Sequence, residues 1–150
     1  MKVKKLKTVE IESDITFNGA TLLSLDEAEN FLTEVERMYS FCWWLRTPGY
    51  FSSNVCIVDF DGSILSNGDG ADYYNGIRPA LVISNLGDFK VGEMFNIGSY
   101  QFKIISPNLA WLYKQDIGKT VFGITNDYEK SHAKKVVDSW YETLLKEETI

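Results

Sequence analysis

Two tryptophans stand side by side at Trp43 and Trp44, inside the segment Phe41-Cys42-Trp43-Trp44-Leu45-Arg46-Thr47-Pro48-Gly49. The aromatic and apolar character of that run predicts a strand, and in a strand successive side chains leave on opposite faces. Two indoles on opposite faces need cover on both, which places this strand inside a domain and not on a wet surface. Pro48 brings no amide to a ladder and Gly49 frees the backbone, so the strand ends there and a loop over residues 50–54 follows. Residues 55–60 are again apolar at nearly every position, as in a strand buried on both faces. Asp61-Gly62 is a two-residue hairpin signal, because that pair tolerates positive φ, and Ser63-Ile64-Leu65 begins the return strand.

The flanks supply the cover. Val3, Val9 and Ile11, interleaved with Lys, Thr and Glu, read as an exposed or edge strand. Ala20-Thr21-Leu22-Leu23 is a second short apolar run, ended by Ser24, which with Glu27 makes a capping box. A helix is expected from Leu25, its apolar positions Ala28, Phe31, Leu32, Val35, Met38 and Tyr39 facing the core and Asp26, Glu29, Glu34 and Glu36 facing water. Residues 66–76, rich in Ser, Asn, Gly and Asp, read as one long irregular loop. Strands are expected over residues 77–83, over 91–105 as a pair turning at Gly98-Ser99, and over 109–113. A last helix begins near Ser131, with Ala133, Val136, Val137, Trp140, Tyr141, Leu144 and Leu145 on one face. The sum is an α+β fold, mostly antiparallel sheet with two amphipathic helices, the second C-terminal. At 150 residues a single compact domain is expected. Within it, residues 1–86 form one half, and residues 87–150 a small β segment plus the C-terminal helix.

A formal net charge of -6 disfavours nucleic acid and anionic membrane surfaces, which both need clustered Lys and Arg. The polar stretch Thr8-Val9-Glu10-Ile11-Glu12 after the basic start predicts no signal peptide, and the sequence holds no apolar run of membrane-spanning length, so a cytoplasmic location is expected, with association with a virion as the variant. Cys42 and Cys56 read as buried free thiols. One His and two widely spaced Cys fit no zinc pattern, and Gly68 and Gly70 lie in no phosphate-loop motif, so neither a metal nor a cofactor is expected. Asp69 and Asp72 read as solvated turn residues, with weak calcium ligation as the alternative. Arg46 and Arg78, each beside a proline, read as structural arginines that pin loops or pair with Asp59 or Asp72. Loop aromatics among Ser and Asn neighbours make recognition surfaces. The candidate ligand-binding set is therefore Tyr50, Asn54, Asn67, Asp69, Asp72 and Tyr73, for a protein or glycan partner. The rival is an enzyme using Asp59, Arg78 and His132, although the lone His132 falls in the first turn of the last helix, where a solvated residue is expected.

The segments Trp43 to Gly49, Asp59-Phe60-Asp61-Gly62 and Gly76-Ile77-Arg78-Pro79-Ala80-Leu81 resemble the WWLRSPG, DG and GVRPAL pattern of an uncharacterised domain family of Gram-positive bacteria and their phages. Val91-Gly92-Glu93, the run from Tyr100 to Ile105, and Asn126-Asp127-Tyr128-Glu129-Lys130-Ser131 are similar to further segments of that family, in a different order. More distantly, the spacing is similar to C-type-lectin-like domains of the formylglycine-generating-enzyme and phage variable-receptor kind. That resemblance implies a lectin-like core whose interstrand loops, residues 50–54 and 66–75, hold a ligand. The chain departs from the enzymatic branch in lacking its paired active-site cysteines, and from true lectins in lacking an EPN or QPD triplet. The expectation is a non-catalytic binding or interaction module, with an enzyme or a virion assembly protein as the alternatives.

Overall fold

The computed structural model describes residues 15–148, together with the backbone of residues 3–4 and 12–13. Strands β1 (Val3–Lys4) and β2 (Glu12–Ser13) pair antiparallel; the remainder of the strand expected through Val9 and Ile11 lies outside the described residues. Two five-stranded sheets follow. The first runs in the order β3 (Thr16–Thr21), β8 (Ala80–Asn85), β11 (Leu109–Leu112), β10 (Tyr100–Ser106), β9 (Met94–Ile97), antiparallel throughout. The second runs β12 (Lys119–Val121), β7 (Tyr74–Gly76), β4 (Trp43–Pro48), β5 (Asn54–Val58), β6 (Ile64–Gly70), with β4 and β7 parallel and the other pairs antiparallel. Among the described residues three α-helices complete an α+β fold: α1 (Leu25–Phe31), α2 (Glu34–Arg37) and the C-terminal α3 (His132–Glu148).

The adjacent tryptophans do what their alternation requires. Trp43, with Leu45, Cys56 and Val58, enters a cluster that also holds Ala28, Ala80, Leu109 and Trp111 and so joins the two sheets. Trp44, with Val55 and Ile57, enters a second cluster closed by Phe122, Ala133 and Val137. Neither indole is exposed, and burying one contributes about 4 kcal/mol before entropic costs. Each ring nitrogen donates to a carbonyl, Trp43 Nε1 to Arg37 O (3.1 Å) and Trp44 Nε1 to Thr120 O (2.9 Å). The far face of the first sheet packs under the second half of α3, with Phe95, Phe102 and Leu81 against Trp140 and Leu144. Strands on both sides of residue 86 share ladders, β8 pairing with β11.

Four local expectations are corrected. The helix from Leu25 stops at Phe31, because Thr33 and Glu36 form a second reciprocal capping box that restarts the chain as α2. Arg37 then turns back to satisfy the orphan carbonyls of α1, Nη1 donating to Leu32 O (2.9 Å), while its Nε holds Gly62 O (2.8 Å). The break swings Phe31, Val35 and Met38 outward, and Val35 is 76% exposed. The hairpin at Asp61-Gly62 is a five-residue turn over residues 59–63, closed by Asp59 N to Ser63 O (2.8 Å), with only Gly62 at positive φ (89°). Residues 66–76 are not one long loop: most of them belong to β6 and β7, and the break is a turn over residues 71–73. Gly68 explains the turn-former composition. Its φ is 58° and a Cβ there would lie 1.6 Å from Val55 O, in a ladder whose register shifts between Val55 and Ile57. The strand expected over residues 77–83 starts only at Ala80. Sequence reading also passed over β12 and the 3₁₀ turn Tyr128–Lys130.

Candidate functional site

At one end of the second sheet three chain segments meet: residues 50–54 after β4, residues 67–74 at the β6–β7 connection, and residues 122–126 after β12. Their backbones are tied together. Gly49 N donates to Asn54 O (2.8 Å), Ala71 N to Ser53 O (2.8 Å), and Phe122 N and Gly123 N both to Ala71 O (2.9 and 3.1 Å). Side-chain amides add cross-links, Asn54 Nδ2 to Asn67 O (3.0 Å) and Asn126 Nδ2 to Phe51 O (3.3 Å) and Asn54 O (3.2 Å). Behind the third segment, the buried Tyr128 accepts Leu22 N at its hydroxyl (3.3 Å), and Ser131 Oγ caps α3 by accepting Lys134 N (2.9 Å). These loops are hydrogen-bonded to one another and to the core beneath them.

What they present is apolar. Tyr50 is 83% exposed and Ile124 98%, and Phe51, Tyr73 and Tyr74 also face solvent. Tyr50 and Phe51 pack edge to face at 5.2 Å, so the first loop offers a preformed aromatic pair. Ile124 is a ridge between two shallow grooves. One, about 450 Å³, is lined by Ser53, Gly70, Asp72 and Gly123; the other, about 350 Å³, by Thr125, Lys130, His132 and Lys135. An acidic and a basic groove thus flank one exposed aliphatic side chain. Desolvating such a ridge on contact is favourable, while the flanking charges favour one orientation of a partner.

Of the six residues predicted for a ligand, all lie in these segments or the strand ends they join. Tyr50, Asn67, Asp72 and Tyr73 are exposed; Asn54 and Asp69 are half-buried. Asn54 and Asn67 are engaged in fixing the loops, and Asp69 accepts Asn75 Nδ2 at 2.9 Å. Asp72 and Tyr73 lie over Gly70, where a Cβ would come within 2.9 Å of Asp72 Oδ1. Ile124 and Asn126 were missed. The signal available for Ile124 was an aliphatic residue set between Gly123 and the polar run Thr125-Asn126-Asp127; nothing local marks Asn126, whose partners are more than 70 residues away.

The enzymatic trio has no common neighbour. Arg78, 1% exposed, lies within 4.9 Å of the ring centroids of Tyr39, Trp43 and Trp111, and its Nε donates to Gln115 O (3.1 Å). Burial lowers its pKa to about 10, with partial compensation from Tyr39 and Asp116. The Tyr39 hydroxyl donates to Asp116 Oδ2 (2.5 Å); burial and that carboxylate raise its pKa to about 12. Arg78 therefore pairs with neither Asp59 nor Asp72 but with aromatic faces. Asp59 accepts the Cys42 thiol (3.1 Å) and Phe60 N (2.8 Å), and burial together with Asp59 pushes the thiol up to about 11. His132 opens α3 on the exposed basic groove. Cys42 and Cys56 are both free. Among the described residues no three His, Cys, Asp or Glu side chains gather where they could hold a metal ion, and no helix is long and apolar enough to cross a membrane.

A domain of unknown function, DUF6273, matches residues 8–85. The chain belongs to that family. No curated protein and no solved structure matches it. The DUF6273 match ends with β8 and includes the Trp43-to-Gly49 strand, the 59–63 turn and Arg78. It also includes two of the three loop segments, whereas Ile124, Asn126 and the basic groove come from the chain beyond it.

Proposed function

We propose that the chain is a non-catalytic binding module that captures a protein or glycan partner on the surface formed by residues 50–54, 67–74 and 122–126. The observation that carries this reading is the exposure of Tyr50, Phe51, Tyr73, Tyr74 and Ile124 on loops whose backbones are hydrogen-bonded into place. Exposed apolar side chains on a fixed support lose little entropy on binding, which is the economy of recognition loops. The resemblance of the Trp43-to-Gly49 and Gly76-to-Leu81 segments to domains of Gram-positive bacteria and their phages supports a bacterial or phage origin. The more distant lectin-like resemblance agrees with a site on the interstrand loops. Affinity capture from a bacterial lysate, with immobilised wild type beside Tyr50→Ser/Tyr73→Ser/Ile124→Ser, tests the reading. Capture by the wild type and its loss in the variant, with the melting temperature unchanged, is expected; equal capture by both would count against it.

A further inference from the structure

A concavity larger than either of these grooves lies elsewhere. It lies where the two sheets meet, between α1, the end of β4 and the β10–β11 turn, with a volume of about 600 Å³, and shares no lining residue with the grooves around Ile124. Glu27, Phe31, Arg46, Ser106, Pro107 and Asn108 carry its chemistry. We infer that this cleft is a second binding site, for an uncharged small molecule that presents a hydrogen-bond donor and acceptor side by side next to an apolar face, as an aromatic or aliphatic amide does.

Charge decides against an ion. Arg46 and Glu27 are the charged residues of the lining and are paired to each other, Nη1 to Oε1 at 2.5 Å, so the cleft is neutral in sum. The pair is also preset. Arg46 Nη1 is held by Leu22 O (2.7 Å), and Glu27 Oε1 by Ser24 N (2.8 Å) in the capping box of α1. Burial pushes the Glu27 carboxyl up, but Arg46 and the Ser24 amide outweigh it, and the group stays ionised below the usual carboxylate range. The side-chain hydrogen bonds that tie Arg46 and Glu27 to each other, to Leu22 and to the Ser24 amide run through Nη1 and Oε1. Nε, Nη2 and Oε2 remain to offer donors and an acceptor next to one another, a pairing that a neutral amide or adjacent hydroxyls answer and a lone charge does not. Asn108 adds an amide at the rim, and Ser106 Oγ is fixed there by Asn108 N (3.2 Å). The apolar wall follows from the helix break: Phe31, turned out at the end of α1, stands 42% exposed on the cleft with Pro107. A concave site with apolar walls and a few convergent polar groups is the general form of a small-ligand pocket.

Three probes of one shape separate neutral from charged ligands: benzamide, benzoate and benzamidine, titrated into the full chain and followed by amide NMR shifts. Benzamide should move the resonances of Phe31, Arg46 and Asn108 and leave those of Ile124 unmoved, while the two ions bind about tenfold more weakly. Phe31→Ser, at an exposed position, should remove the response without changing the melting temperature. Glu27→Gln keeps an acceptor for Ser24 N but leaves the Arg46 charge uncompensated, so preference should swing to benzoate. Benzoate or benzamidine binding as tightly as benzamide to the wild type would overturn the inference. So would shifts outside the cleft, no response to any probe, or an unchanged preference in Glu27→Gln.

Discussion

Two parts of this molecule are rich in aromatic rings and use them in opposite ways. Around Arg78, the rings of Tyr39, Trp43 and Trp111 are turned inward on a guanidinium with 1% exposure. Around Ile124, the rings of Tyr50, Phe51, Tyr73 and Tyr74 are turned outward, on loops whose hydrogen bonds are made by backbone and amide groups beneath them. Both regions are built from aromatic rings; burial is reversed. In the first region the aromatic side chains are the fold's stability, and a residue lost is a cavity or an exposed charge. In the second they stand in solvent and contribute little to stability, as the proposed binding surface requires.

The sharpest way to break this contrast is Arg78→Ala. Emptying the space among three rings should cost about 4 kcal/mol, a fall in melting temperature of about 8 to 16 °C for a chain of this size. Arg78→Met, which refills the space with apolar volume and removes a cation that no carboxylate contacts among the described residues, should recover at least half of that loss. If both variants melted like the wild type, the box would not be structural. Next in size is Gly68→Ala. A Cβ 1.6 Å from Val55 O at φ 58° must displace the β5–β6 ladder, at a cost of about 2 kcal/mol, measured by urea unfolding. Because that ladder carries Asn54 and Asn67, the same variant should also loosen the loop surface, seen as faster amide exchange at residues 50–54.

A smaller effect follows from pH. Glu27 and Glu36 each meet burial that raises their pKa, outweighed by hydrogen bonds from Arg46 and Lys103 respectively and from their capping partners, leaving both below the usual 4.5. For carboxyls depressed in the folded state, the unfolded chain binds more protons in acid. Their stabilisation is therefore complete above about pH 4.5 and is lost as pH falls through the folded values. Glu27→Gln/Glu36→Gln should flatten the acid limb of stability against pH, and an unaltered limb would show that the pairs are silent. At the other end Cys42, raised from 9.0 to about 11, is stabilising in its neutral form below pH 9, and that contribution fades as pH rises from 9 toward 11.

Much of the framework was legible because its signals are local. The alternation at Trp43 and Trp44, the unbroken apolar run from Val55 to Val58 and the Ser24/Glu27 box each depend on residues a few positions apart, and the structure places them accordingly. The second capping box, Thr33 with Glu36, was equally visible, but the apolar spacing of Phe31, Val35 and Met38 mimicked a continuing amphipathic face and outweighed it. The strand character of residues 66–70 was hidden by glycine and asparagine that serve a bulge, a requirement set by the distant Val55 carbonyl. Long-range contacts were least readable. Arg78 takes its cage from Tyr39, Trp43 and Trp111, and Ile124 joins the loop surface through β12, a three-residue strand without useful periodicity. The six residues predicted for a ligand lie at one end of the second sheet, but the ridge that organises the grooves there came from outside the motif-bearing third.

The most direct test of the account is the loop triple variant, Tyr50→Ser/Tyr73→Ser/Ile124→Ser, measured for partner capture and thermal unfolding in the same preparation. With each side chain already in water, stability should change by no more than about 0.5 kcal/mol per substitution, while capture is lost. A melting temperature lower by as much as in Arg78→Ala, or undiminished capture, would contradict the division between a buried aromatic framework and an exposed aromatic binding surface.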